Sequence, residues 1–188
     1  MAVDRSLLET KLRPPKMRTD LVARPALEEI LGHAVERSLT VVSAPTGYGK
    51  TTVINAWARR SGLAIAWLTL EASENDPARL LQHIAGAIER AGGPNPVPAN
   101  RWASIPGADL AGTVVPMMLN ELVSRSQPIV LVLDDCHVLT DPRCHDVLSA
   151  LVRWTPETLR IVIATRADPP LPLGRWRAAG QLLSLIHI

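Results

Sequence analysis

The stretch from residue 39 to residue 60 constrains the fold of this chain more than any other. The β-branched run Leu39–Ala44 predicts a short buried strand, and a loop with two glycines follows it directly. Thr51–Arg60 then has the spacing of an amphipathic helix and ends before Gly62. A buried strand, a tight loop and a helix in this order are typical of α/β domains, in which parallel strands alternate with helices.

The loop between this strand and helix has the composition of a phosphate-binding turn. Ala44-Pro-Thr-Gly-Tyr-Gly-Lys-Thr51 matches the Walker A spacing, with alanine in place of the first glycine. Gly47 and Gly49 let the backbone curl around phosphate oxygens, and the helix beginning near Lys50 adds its positive dipole end. Lys50 offers an ammonium to the β- and γ-phosphates, and the Thr51 hydroxyl can ligate Mg²⁺.

The alternative is a strand-to-helix turn that contains Gly-Lys-Thr by chance. The flanking strand and helix favour the binding site, so we expect ATP or ADP with Mg²⁺ to be held here. The residues predicted to contact the nucleotide in this loop are Thr46, Gly47, Tyr48, Gly49, Lys50, Thr51 and Thr52.

A second motif predicts the metal and hydrolysis side of the site. Pro128–Asp135 is an apolar run that ends in two acids, the Walker B form. A parallel strand delivers its last residues to the carboxyl edge of the sheet, where ligands bind. We expect Asp134 to hold the Mg²⁺ shell through water, and Asp135 to orient or deprotonate the attacking water. A strand followed by a polar turn is the alternative, and the preceding phosphate loop disfavours it.

The strand predicted at Arg160–Thr165 ends at the same edge and is followed by Arg166. A cation there can sense the γ-phosphate and stabilise the charge that develops during transfer; a solvated arginine is the alternative. We therefore expect Asp135 and Arg166 to be the catalytic residues. His137 has two open interpretations, since it either orients Asp135 or a water molecule or is a structural histidine.

The remaining chain keeps the alternation of strands and helices. Residues 1–26, polar and interrupted by prolines, predict an N-terminal arm, and residues 27–188 predict one domain. Residues 92–108 contain four prolines and predict a loop. The other predicted elements are a strand at Leu63–Leu70, a helix from Asp76 to Gly92, a helix at roughly 110–125, strands at Ile129–Asp134 and Arg160–Thr165, a helix at Asp141–Trp154 and a possible fifth strand at Gln181–Ile186.

Composition narrows the class of protein further. A net charge of +2 does not indicate a nucleic-acid-binding surface, and 47% hydrophobic residues are enough for a sizeable core. The start of the chain does not match a secretory signal, and no apolar run approaches the roughly 18 residues of a membrane span. Cys136 and Cys144 are too few for a disulfide framework, and their neighbouring histidines lack zinc-site spacing. We expect a reduced, cytoplasmic protein that contacts no membrane.

Segments along nearly the whole chain resemble one family. They are Leu7–Leu12, Pro14-Pro15, Arg18, Leu21–Arg24, Ser43–Thr52, Ala66–Leu70, Leu133–His137, Thr165-Arg166 and Leu171–Leu183. Together they resemble the N-terminal ATPase domain of the large LuxR-type ATP-dependent transcriptional regulators. The Tyr48 variant of the loop, combined with Asp-Asp-x-His and the amino-terminal signature, makes this resemblance far more specific than a Walker A motif alone.

The resemblance implies an AAA-like P-loop NTPase fold, with a five-stranded, mostly parallel sheet between helices and the Arg166 strand between the Walker A and Walker B strands. It implies a STAND-type switch, resting with ADP and self-associating with ATP, and a nucleotide contact from Arg24. Inducer and DNA would bind regions absent from this chain, which we expect to be truncated at its C-terminal end. Slow ATP hydrolysis is the expected activity. A small-molecule kinase and an AAA-type mechanical ATPase are the alternatives.

Overall fold

Five strands form one sheet in the computed structural model, which describes residues 9–16, 24–94, 105 and 107–186. All neighbouring strands are parallel, and their order is β2-β3-β4-β1-β5. The prediction of a five-stranded, mostly parallel sheet is confirmed, and β4 lies between β1 and β3 as the resemblance implied. The strands are β1 (Leu39–Ser43), β2 (Ala64–Thr69), β3 (Ile129–Asp134), β4 (Leu159–Thr165) and β5 (Leu182–Ile186).

Helices cover both faces of this sheet. They are α1 (Pro25–Gly32), α2 (Lys50–Ser61), α3 (Pro77–Arg90), α4 (Val115–Asn120), α5 (Pro142–Arg153) and α6 (Leu173–Ala178). Helices α3 and α5 begin as their sequences predict. The side chains of Asp76 and Asp141 accept hydrogen bonds from the first-turn N–H groups of Arg79 and Arg143, both at 2.8 Å. A proline occupies the first turn of each helix, where its missing N–H costs nothing.

The core is divided between the two faces by the alternation of side chains along each strand. Leu131 of β3 belongs to the apolar cluster that includes residues of α3, α4, α5 and α6, whereas Val130 and Val132 belong to the cluster that includes residues of α1 and α2. All six residues of β3 are buried. The acids at its end are therefore carried by a strand that is covered on both faces.

The segment predicted as one helix at 110–125 differs from the prediction. Leu110–Val114 forms a π-helical turn, and α4 begins only at Val115. Pro116 has no N–H for a bond to the carbonyl of Gly112, so a regular α-helix cannot run through this point. Helix α1 was not predicted, and the proposed boundary between residues 26 and 27 lies inside it.

Residues 9–16 pack against the domain. Glu9–Leu12 form a 3₁₀ turn beside β2, which is one of the two edge strands, and Lys11 is buried. The Asn55 side chain of α2 donates a 2.7 Å hydrogen bond to the carbonyl oxygen of Pro15. Other parts of the amino-terminal signature (Leu7-Leu8, Arg18 and residues 21–23) lie outside the described residues. In the part of the chain that the structure describes, no helix is long and apolar enough to cross a bilayer.

Candidate nucleotide-binding site

The loop between β1 and α2 has a backbone that only glycine adopts readily at two points. Gly47 and Gly49 have φ values of +86° and +82°, and a Cβ atom at either position would meet no other atom within 4 Å. The requirement for glycine is therefore conformational rather than steric. Residues 45–49 are exposed, and Gly49 directly precedes the first turn of α2. The loop thus presents open backbone and a helix N-terminus, a combination that favours an anion.

Lys50 places a positive charge inside this loop. The residue is only 7% exposed, and its Nζ donates hydrogen bonds to the carbonyl oxygens of Ala44 at 2.6 Å and Pro45 at 3.1 Å. Among the described residues, no carboxylate oxygen lies within ion-pair distance of this ammonium. A buried cation satisfied only by neutral carbonyls has strong unused affinity for a negatively charged ligand.

Thr51 and Asp134 come together from distant parts of the chain. The Thr51 Oγ1 donates a 3.0 Å hydrogen bond to Asp134 Oδ1, and Asp134 is 2% exposed. Burial raises the pKa of the Asp134 carboxyl to about 6; the charge of Asp135 adds to this rise, and the Thr51 hydrogen bond opposes it. A hydroxyl and a carboxylate side by side offer the hard oxygen donors that Mg²⁺ prefers, and the metal charge would favour the ionised carboxylate. The donor set fits Mg²⁺.

Asp135, directly after β3, has an unusual backbone conformation. Its φ of 58° makes it the one residue other than glycine with a positive φ in the described part of the chain. The backbone N–H of Asp135 donates to Asp134 Oδ1 at 3.1 Å, and its carbonyl accepts from the N–H of Val138 at 3.1 Å. These bonds hold the strained residue at the point where β3 turns away from the sheet.

His137 and Arg166 lie near this turn. The Nδ1 of His137 is 3.7 Å from Asp135 Oδ1. Burial lowers the pKa of His137, and the positive charge of Arg166 lowers it further. Arg166 is exposed and follows Thr165, whose carbonyl accepts a 3.2 Å bond from the N–H of Ala44 at the start of the phosphate loop. The ends of β1, β3 and β4 therefore bring together the predicted binding, metal and catalytic groups.

The other predicted contacts lie around this edge in different environments. Thr46 and Tyr48 are exposed on the loop, and half of the Tyr48 surface is accessible. Thr52 is half-buried in the first turn of α2. Arg24 is exposed immediately before α1, a helix that packs beside α2.

The cysteine and histidine pairs have no metal-site geometry in the part of the chain that is described. No group of three or more His, Cys, Asp or Glu side chains converges there. Both cysteines are buried and free. Burial raises the pKa of Cys136 to about 12 and that of Cys144 to about 11, so both are neutral thiols near pH 7.

Sequence reasoning missed a buried ionic contact beside β2. Lys11 Nζ lies 3.1 Å from Glu74 Oε1 and 2.9 Å from Glu71 Oε2, and Glu74 is fully buried. Lys11 belongs to the amino-terminal signature and is one of only three lysines in the chain. The scarcity of lysine marks Lys11 as unusual, but no feature of the sequence near Lys11 identifies Glu74 as its partner.

The fold and the glycine-containing loop define an α/β nucleotide-binding domain of the P-loop class. Residues 33–165 match the family model described as AAA domain, and the chain belongs to that family.

Curated relatives extend the similarity over most of the chain. The HTH-type transcriptional regulator MalT of Serratia proteamaculans strain 568 is 30% identical over 179 residues, which is 95% of this chain and 20% of that protein. The protein of the same name from Yersinia enterocolitica is also 30% identical, with the same coverage. The chain spans about a fifth of the length of these relatives. The predicted resemblance to the ATPase domain of LuxR-type regulators is confirmed.

Solved structures share the fold. Cdc6p from Pyrobaculum aerophilum has a TM-score of 0.57 and 17% identity, covering 95% of this chain and 49% of that one. The Aeropyrum pernix ORC1 protein, solved in complex with DNA, has a TM-score of 0.55 and 21% identity, covering 87% and 44%. At these identities the likeness concerns the AAA-like architecture alone.

Proposed function

We propose that this chain is the ATP-binding switch of a cytoplasmic, LuxR-type transcriptional regulator. The observation that carries the proposal is the Lys50 ammonium inside the glycine-containing loop, next to the Thr51–Asp134 pair. It bonds to two backbone carbonyls and has no carboxylate partner among the described residues. The regulatory part of the proposal is supported by the relatives, which are named as HTH-type transcriptional regulators.

In the proposed binding mode, the β- and γ-phosphates of ATP lie in the loop formed by residues 44–51. Backbone N–H groups of the loop and the first turn of α2 donate to the phosphate oxygens, and Lys50 leaves the Ala44 and Pro45 carbonyls to meet them. Thr51 and Asp134 would hold Mg²⁺, since their side-chain oxygens lie together at this edge of the sheet. Mg²⁺ supplies positive charge that offsets the charge on the phosphate oxygens. Arg24, from the side of α1, is proposed as a further nucleotide contact.

Hydrolysis is proposed to proceed by direct attack of water on the γ-phosphorus. The water oxygen forms a bond to phosphorus as the bond to the bridging oxygen breaks, which releases ADP and inorganic phosphate. Asp135 orients this water and accepts its proton, which later passes to solvent. Arg166 stabilises the negative charge that builds on the γ-phosphoryl oxygens.

This hydrolysis is proposed to be slow, because a signalling state must persist until it meets its target. Related reactions run about 10³–10⁵-fold faster when a partner supplies an arginine to the γ-phosphate. The mechanism proposed above uses Arg166 alone. We propose turnover well below about one per second, against a typical enzyme range of about 1–10³ per second. Residues 9–16, which pack against the domain, are proposed to be part of an N-terminal arm. Self-association follows ATP binding, and inducer and DNA contact regions outside this chain.

The test measures nucleotide binding and phosphate release with the purified protein. Titration with a fluorescent ATP analogue should show Mg²⁺-dependent binding, and phosphate should appear slowly with or without small-molecule acceptors. Lys50→Ala serves as the binding-deficient control. Phosphate appearing on an acceptor at rates above about one per second would favour a kinase instead. Hydrolysis that accelerates when a polymer substrate is threaded or remodelled would favour a mechanical ATPase.

A further inference from the structure

We propose that residues 9–16 form a strap whose docking on the domain is coupled to the nucleotide site. When this strap is seated, nucleotide binds more tightly, and bound nucleotide in turn keeps the strap seated. The inference rests on the proposed function, because it concerns the regulation of the same site.

One end of the strap is anchored by a lysine. Lys11 Nζ lies 3.1 Å from Glu74 Oε1 and 2.9 Å from Glu71 Oε2. Both acids follow β2, and the backbone N–H of Leu70, directly after that strand, donates a 2.9 Å hydrogen bond to the carbonyl oxygen of Asp134. Lys11 is thus joined, through a short stretch of chain, to the backbone of a residue proposed to hold Mg²⁺.

The other end of the strap is anchored to the helix that begins at the phosphate loop. The buried Asn55 side chain of α2 donates a 2.7 Å hydrogen bond from Nδ2 to the carbonyl oxygen of Pro15. Asn55 lies about one turn of α2 after Thr51, whose hydroxyl donates to Asp134 Oδ1 at 3.0 Å. The two anchors and the Thr51–Asp134 pair therefore form a closed ring of contacts that includes the strap, the ends of β2 and β3, and α2.

The strap has few apolar contacts with the rest of the domain. Lys11 is its one buried residue, and Leu12 and Pro14 are half-buried. Segments with little buried apolar surface open locally, at a lower free energy than the whole domain unfolds. Glu74 is fully buried, so separating it from Lys11 leaves a carboxylate without its cation and makes small displacements of the strap costly. We therefore expect two states, seated and open.

The seated strap favours nucleotide because it restrains the groups that bind the nucleotide. The bond to Pro15 holds α2 close to Thr51, and the bond from Leu70 holds the backbone of Asp134. Restraining these groups before the ligand arrives removes part of the ordering cost of binding. By reciprocity, nucleotide bound in the phosphate loop favours the seated strap by the same factor, and such couplings are typically about 5–150-fold.

The first experiment measures the dissociation constants of ATP and ADP in the presence of Mg²⁺ by fluorescent-nucleotide titration. We expect Lys11→Met and Asn55→Leu to raise both constants at least about fivefold. Two matched controls should stay within about twofold of the unchanged protein. Arg13→Met removes a positive charge from the strap but only an exposed ion pair with Glu9, and Arg59→Met removes the other hydrogen-bond partner of Asn55. Circular dichroism checks that each variant is folded.

The second experiment needs no substitution. Hydrogen exchange, followed by mass spectrometry of a peptide containing residues 9–16, measures how often the strap opens. In the unchanged protein, saturating ADP with Mg²⁺ should slow this exchange at least about fivefold, matching the fold-change in affinity that the coupling predicts.

Unchanged dissociation constants in folded Lys11→Met and Asn55→Leu variants would overturn the inference, because a strap that only stabilises the fold lowers the melting temperature and leaves affinity intact. Exchange of residues 9–16 that is the same with and without nucleotide would also overturn it, and that result does not require either variant to fold. If the unchanged protein binds no nucleotide, the proposed function fails together with this inference. Binding without coupling leaves the proposed function standing and removes the inference alone.

Discussion

Replacing Glu74 by glutamine tests the buried contact that holds residues 9–16 against the sheet. The Glu74 carboxylate is fully buried and accepts hydrogen bonds from Lys11 Nζ at 3.1 Å, Ser73 Oγ at 2.8 Å and the backbone N–H of Glu71 at 2.7 Å. His83 Nδ1 lies 2.8 Å from its Oε1. Burial alone would raise the pKa of Glu74, but these four partners outweigh burial and lower it from 4.5 to about 2.

The depressed pKa sets the sign and size of the effect. Because the folded state binds the Glu74 proton more weakly than the unfolded state, the ionised carboxylate stabilises the fold above pH 4.5. A tenfold change in proton affinity corresponds to about 1.4 kcal/mol. The ionised Glu74 carboxylate therefore adds about 3 kcal/mol to the free energy of unfolding at pH 7. It is lost as the pH falls from about 4.5 towards about 2, and about 1.4 kcal/mol remains at pH 3.

Urea unfolding at pH 7, 5, 4 and 3 measures this directly. We expect the unfolding free energy of Glu74→Gln to lie at least about 3 kcal/mol below that of the unchanged protein at pH 7, and the difference to narrow by about half at pH 3. Glu71→Gln is the matched control. Glu71 also pairs with Lys11 but its side chain is 59% exposed, so its loss should cost less than about 1 kcal/mol. A Glu74→Gln difference that stays constant with pH would refute the reasoning.

Three further predictions concern the phosphate loop and the metal side. Lys50→Ala should weaken ATP and ADP binding at least tenfold, about 1.4 kcal/mol or more, in a folded protein, as measured by fluorescent-nucleotide titration. Asp134→Asn should weaken Mg²⁺-dependent binding, whereas Asp135→Asn should leave ATP bound but slow its hydrolysis; equal loss of binding in both would contradict this division. Gly49→Ala should lower the unfolding free energy by about 1 kcal/mol because φ is +82°, whereas Gly32→Ala, in a helical conformation with open space around it, should not.

Most of the individual strands and helices are determined by interactions between residues that are close in sequence. The strand at Leu39–Ser43, the glycine-containing loop and helix α2 follow one another, so their periodicity and composition were sufficient to predict them. The starts of α3 and α5 were predictable for the same reason, because an aspartate cap and a following proline act within one turn. Local signals failed at Leu110–Val114, where the helical pattern and Pro116 conflict and packing selects a π-helical turn.

The tertiary structure alone decided the contacts between residues that are far apart in sequence. Thr51 and Asp134 are 83 positions apart, and Lys11 and Glu74 are 63 apart. The sequence predicted a common edge for the first pair because parallel strands end together. No comparable rule predicts the Lys11–Glu74 pair or the left-handed backbone of Asp135 from the sequence. A buried charge and a strained residue are each unfavourable on their own. Both persist because the assembled sheet and helices supply the partners that offset the cost.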